Sequence, residues 1–224
     1  MNYSASSILI ITISFLLYHF ISGNNTLKTY MLQCFGDEQG QICSVIFNRL
    51  LGGFLFALTV LFNMIYSLPT SGISINFKYK PLLFLLVLLP FLVNMFAAKS
   101  ASNLAMYPQI RAKVWSKNLI LISAISWMTY LLGYEIMFRG VLFYNCLNEM
   151  SLFSAIIINI SLYSLVHIPK GLNETIGALP MGIVLCLLTW VTGSFWAAFV
   201  LHSLLALTNE WFSLKYHSEM KILK

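Results

Sequence analysis

Between Glu174 and Glu210 the chain runs for 35 residues without an Asp, Glu, Lys or Arg. A helix crosses a hydrocarbon core of about 30 Å in roughly 20 apolar residues, so this interval is long enough for two spans. Thr192-Gly193-Ser194, near its middle, is the turn that divides them. Uncharged intervals also cover residues 5–22, 50–68, 81–98, 118–133 and 151–166. Pro90 is expected to kink the third of these. Interval 5–22 has no cationic stretch ahead of it and no small-residue cleavage site, and reads as a retained span. Of all residues, 59% are hydrophobic and 9% charged, against roughly 25% charged in a soluble domain. So few charges cannot clothe a water-facing surface, and so much apolar surface excludes disorder. The expected fold is all-α: a polytopic transmembrane helical bundle of about seven spans, forming one membrane-embedded domain over residues 1–224.

The loop charges suggest an orientation. With seven spans, one side receives ten cations: Lys28, Arg49, Lys99, Arg111, Lys113 and Lys117, then Lys170, Lys215, Lys221 and Lys224. The other receives Lys78 and Lys80. By the positive-inside rule the amino terminus is expected outside and the carboxyl terminus in the cytoplasm. The net charge of +6 then marks the cytoplasmic face, where it meets anionic headgroups of the lipid bilayer. No clustered basic face points to nucleic acid. Cys34 and Cys43 share the first loop, Cys146 and Cys186 lie in or near spans, and no CxxC is present. These cysteines suit neither a disulfide framework nor a zinc ribbon.

Glu135 and Arg139 do not fit the loop pattern, because they fall within a hydrophobic region covering residues 118–147. As one helix this region is about 45 Å long, with Gly133 as its natural break. A spacing of four puts both side chains on one helix face. Ionisable residues inside a membrane are costly and face an interior cavity or a partner. The pair is therefore either a structural clasp between helices or a catalytic carboxylate positioned by its arginine. His167 closes the fifth span and His202 lies near the middle of the seventh. His19 and His217 read as interfacial and solvent residues.

From here the sequence resembles a known family. Glu135-Ile-Met-Phe-Arg139-Gly140 is similar to the second part of the Glu-Glu-x-x-x-Arg motif of the CPBP family, the CAAX-processing and bacteriocin-processing intramembrane proteases. Tyr163-Ser-Leu-Val-His167 resembles its aromatic-x-x-x-His motif, and His167-Ile-Pro-Lys170 with Glu174 resembles the loop that follows. The stretch from Thr192 to His202 resembles the approach to the third motif. The resemblance covers about residues 118–210, leaving 1–117 as amino-terminal spans. It departs at two places. Tyr134 stands where the family has the first Glu, its proposed water activator, and Ala206 stands where it has an Asn four residues after the last His. Asn209 lies one further turn along.

The resemblance implies an intramembrane endopeptidase acting on a peptide or membrane-protein substrate. Peptide hydrolysis needs an activated water, oxyanion stabilisation and a proton for the leaving amine. Glu135 is the expected general base, with Arg139, His167 and His202 as further catalytic residues and Tyr134 as a hydrogen-bond donor. A zinc ion held by Glu135, His167 and His202 is the other route, although no His-Glu-x-x-His is present. Tyr163, Asn159, Glu174 and Asn209 are the expected supporting or substrate-binding residues. Asn63, Asn94 and Asn159 suit interhelical hydrogen bonds, Glu174 the amino-terminal end of a helix, and Gly177 and Gly182 close helix approach. Two other readings stay open: a non-catalytic scaffold or immunity protein, and a small transporter with Glu135 and Arg139 on an ion path.

Overall fold

A computed structural model describes residues 2–65 and 80–223. Helix α1 (Tyr3–Ser22) begins where Asn2 accepts from the Ala5 amide. It is followed by α2 (Asn25–Phe35), α3 (Asp37–Ala57) and α4 (Thr59–Ile65). Then come α5 (Lys80–Ala97), α6 (Ala101–Met106) and the short strand β1 (Val114–Trp115). Helix α7 (Lys117–Glu135), capped by Ser116, passes without interruption into a π-helical stretch, Ile136–Phe143, and then into α8 (Tyr144–Leu147). Helices α9 (Leu152–Leu165), α10 (Leu172–Thr192) and α11 (Trp196–Tyr216) complete the bundle. Strand β2 (Lys221–Ile222) pairs in parallel with β1 and ties the tail to the start of α7.

Helix occupies each of the seven expected intervals within the described residues; positions 66–68 and Lys78 lie outside them. Among the described residues four segments are long and apolar enough to cross a membrane: Tyr3–Ser22, Asp37–Leu61, Lys117–Leu147 and Leu172–Thr192. Leu88–Ala97 and Leu152–Leu165 are shorter apolar helices. Gly193, at φ 66°, ends α10 in the left-handed region, as the Thr192-Gly193-Ser194 turn requires.

Three expectations are corrected. Gly133 does not break the fourth span. It is where α7 meets α3, and a Cβ there would lie 2.1 Å from the Gly53 carbonyl oxygen, so hydrogen is the only side chain that fits. Arg49 is not a loop cation: it is buried in α3 and ion-paired with Glu210 at 2.8 Å. Gly177 faces open space, with nothing within 4 Å of a Cβ, whereas Gly182 does seat α10 closely against Ile160 and Tyr163.

Interhelical polar contacts hold the layers. Asn145 in α8 donates to Ser7 in α1 at 2.6 Å and to Asn63 in α4 at 3.0 Å. Asn94 in α5 donates to the Leu205 carbonyl at 2.6 Å and to Thr208 at 2.7 Å, both in α11. In an apolar medium such groups must find protein partners, because water is absent. The buried apolar core lies on the inner faces of α7, the π stretch, α9, α10 and α11, and includes Met137, Phe138, Leu185 and Leu201. It encloses Glu135 and Arg139.

Candidate active site

The π-helical stretch begins one residue after Glu135 and contains Arg139. A π turn widens the helix and disturbs its hydrogen-bond ladder, and such turns concentrate at functional sites. Asn159 of α9 compensates by donating to the Phe138 carbonyl at 2.8 Å, and Cys186 of α10 donates to Asn159 Oδ1 at 3.3 Å. Asn159 thus supports the site from behind, as a backbone partner.

Glu135 and Arg139 are both fully buried. Glu135 Oε1 accepts from Arg139 Nη1 at 3.2 Å and from His202 Nδ1 at 2.6 Å. Glu135 Oε2, Arg139 Nε and Arg139 Nη2 have no hydrogen-bond partner among the described residues. The guanidinium carbon lies 4.3 Å from the Tyr163 ring centroid, a cation–π contact that holds it in place.

A cavity of about 330 Å³ opens beside this pair. Tyr134, Tyr163, His167 and His202 form its inner wall, and Tyr134 packs edge to face on both histidines, 5.9 Å from His202 and 6.4 Å from His167 between centroids. His167 Nδ1 lies 2.7 Å from the Tyr163 carbonyl oxygen. A carbonyl only accepts, so Nδ1 carries the proton and Nε2 of the neutral ring is an acceptor. His202 Nδ1 is likewise engaged, by Glu135, which leaves Nε2 on the opposite edge of its ring. The Tyr134 hydroxyl is buried without a partner among the described residues. Glu135 itself does not line the cavity; His202 stands between them.

Lys170 and Glu174 border the same cavity, 3.8 Å apart. Glu174 sits in the first turn of α10, where a negative charge suits the helix dipole. Burial, with the Glu174 carboxylate nearby, holds the Tyr107 phenol well above its ordinary value. Ala206 and Asn209 also line the cavity, and Asn209 Oδ1 has no partner among the described residues. His19 is exposed on α1, and His217 contacts Arg111 at 3.3 Å; neither is near the cavity.

A single zinc ion would need Glu135, His167 and His202 to present ligand atoms to one point. Both Nδ1 atoms and Glu135 Oε1 are engaged in other bonds, which leaves Nε2 of each ring and Glu135 Oε2 as the donors a metal would use. Among the described residues no three His, Cys, Asp or Glu side chains converge as a metal site.

A second buried ion pair escaped the sequence reading. Arg49 donates to Glu210, to Ser123 Oγ at 2.9 Å, to Ser126 Oγ at 3.2 Å and to Gln109 at 3.2 Å, and lies 4.1 Å over the Trp127 ring. Glu210 also accepts from Trp127 Nε1 at 2.6 Å and, through a short contact, from Ser123. Every charged oxygen and nitrogen is engaged, in contrast to Glu135 and Arg139.

The family model described as type II CAAX prenyl endopeptidase Rce1-like matches residues 80–208. The match takes in α5 as well as the region that carries the motifs, and it includes Glu135, Arg139, His167 and His202. No curated protein and no solved structure matches the chain. Since the match spans more than half of the 224 residues, the chain belongs to the Rce1-like type II CAAX prenyl endopeptidase family.

Proposed function

We propose that this protein is an intramembrane endopeptidase that hydrolyses a peptide or membrane-protein segment, with Glu135 and His202 acting as a carboxylate–histidine pair. The supporting observation is the 2.6 Å contact between His202 Nδ1 and a fully buried Glu135, with His202 on the cavity wall. A neutral phenol such as the Tyr134 side chain is no base at neutral pH. The base role of the family's first Glu therefore passes to His202, which Glu135 orients and stabilises when protonated.

His202 Nε2 takes a proton from water as the water oxygen attacks the scissile carbonyl carbon. His167 Nε2 accepts the second water hydrogen and aims the attack. The Tyr134 hydroxyl donates to the oxyanion. On collapse the C–N bond breaks, the proton on His202 passes to the leaving amine, and the other product, released as a carboxylic acid, loses its remaining proton to solvent water. Arg139 holds Glu135 Oε1 in line, and Asn209 Oδ1 accepts from a substrate amide. No metal takes part in this reading. Cleavage by the purified protein, compared with Glu135→Gln and with chelator present, tests it.

The positive-inside count supports an external amino terminus and a cytoplasmic carboxyl terminus. Removing the buried Arg49 from ten leaves nine cations against two. The cavity mouth at Lys170 and Glu174 then faces the cytoplasm. Tyr134 and Ala206 favour a second reading, a non-catalytic relative that binds a peptide in the same cavity. Glu135 and Arg139 sit side by side in a closed interior, which lends no support to a transporter's ion path.

A further inference from the structure

A second cavity, of about 250 Å³, lies on the other side of α11, between it and the first half of α7. Its walls are apolar apart from Thr208 and Glu210: Ile120 and Ala124 come from α7, Leu207, Trp211 and Leu214 from α11, and Trp115 closes one end. Glu210 is saturated by Arg49, Ser123 and Trp127, so it offers the cavity no free acceptor.

The charges lie at one end. Lys117 precedes Ile120 by three and Ala124 by seven, so it shares their face of α7. Lys215 follows Trp211 by four and shares its face of α11. Lys113 and Lys221 are held at the same end by the β1–β2 pairing, where the Lys221 amide donates to the Lys113 carbonyl at 2.9 Å. All four lysines are exposed, with Glu219 as the one acidic residue of the adjoining tail. Trp211, half exposed, stands beside them as an interfacial aromatic. An apolar groove between two helices, with exposed lysines on the helix turns and strands next to its Trp115 and Leu214 end, has the charge and polarity pattern of one amphiphile.

We propose that this groove binds an anionic phospholipid, one acyl chain lying between α7 and α11 and the phosphate meeting Lys117 and Lys215. Basic residues at a membrane surface attract anionic headgroups, and the apolar walls select a ligand that also carries a chain. The test is native mass spectrometry and thermal unfolding of the full chain in neutral detergent, titrated with phosphatidylglycerol, phosphatidylcholine or glycerol 1-phosphate. Phosphatidylglycerol should bind saturably with a one-to-one component and raise the Tm; the other two should not. Lys117→Ala with Lys215→Ala should weaken that component roughly tenfold or more, while Lys28→Ala with Lys99→Ala should leave it unchanged. Ala124→Phe, which fills the groove and keeps the lysines, should abolish it. Equal binding by glycerol 1-phosphate, by the Lys117/Lys215 double variant or by Ala124→Phe would overturn the proposal.

Discussion

Glu135 Oε1 receives both His202 Nδ1, at 2.6 Å, and Arg139 Nη1, at 3.2 Å, while Oε2 of the same carboxylate has no partner among the described residues. One oxygen holds the histidine and the arginine. The other is left in reserve beside a histidine that lines a cavity. A carboxylate serving only to clasp helices is expected to engage both oxygens, as Glu210 does with Arg49, Ser123 and Trp127.

The Tyr134 hydroxyl is the oxyanion donor in this mechanism, buried and unpaired among the described residues. Tyr134→Phe keeps the ring packed against Tyr163 and His202 and removes only the hydroxyl. It should lower kcat by about 10²- to 10³-fold, with KM and Tm little changed. Steady-state cleavage kinetics on the purified variant check this.

Much of this site was legible before the fold was known. Against so few charges, Glu135 and Arg139 stood out, and the order of motifs brought His167 and His202 to them. The Arg49 pairing was not legible. Its partner Glu210 is 161 residues away, and a charge beside an uncharged run looks like a span boundary when its neutralising partner is unseen. Nor was the π stretch: Gly133 looked like a helix breaker because glycine disfavours helix interiors, yet the close approach of α3 decides that position. That Glu135 sits behind His202 depends on how α7 and α11 pack, which spacing along one helix does not reveal.

Arg49 and Glu210 are a fully engaged buried ion pair. Glu210→Ala leaves the guanidinium buried and uncompensated, and should cost about 3–5 kcal/mol. Replacing both, as Arg49→Met with Glu210→Leu, should recover much of that loss. Thermal unfolding of the two variants in detergent checks the order.

Gly133→Ala places a methyl group against the Gly53 carbonyl, where the available distance is 2.1 Å. Helices α3 and α7 must separate to admit it. The expected loss is about 1–3 kcal/mol or more, read as a lower Tm. Gly177→Ala, which meets open space in the interior of α10, should leave the Tm unchanged or raise it slightly.

Glu149, in the loop after α8, caps the start of α1 by accepting from Ser4 Oγ at 2.6 Å, the Ser4 amide at 2.9 Å and the Tyr3 amide. The Ser4 side-chain bond, followed by the Ser4 backbone bond, holds its carboxyl below the ordinary value. A lowered carboxyl pKa contributes stability above the unfolded-state value, and that contribution is lost as pH falls through the folded-state value. The Tm difference between wild type and Glu149→Gln should therefore be constant from neutral pH to about pH 5 and shrink toward zero in stronger acid. Thermal melts across that range check it.

Cleavage by the purified full chain of pooled internally quenched peptides, with Glu135→Gln and His202→Ala beside wild type and with 1,10-phenanthroline as a parallel arm, tests the central claim most directly. The account predicts cleavage by wild type, a loss of about 10²- to 10⁴-fold in each folded variant, and an unchanged rate with the chelator. Cleavage by Glu135→Gln at the wild-type rate would contradict it, as would chelator inhibition reversed by added zinc.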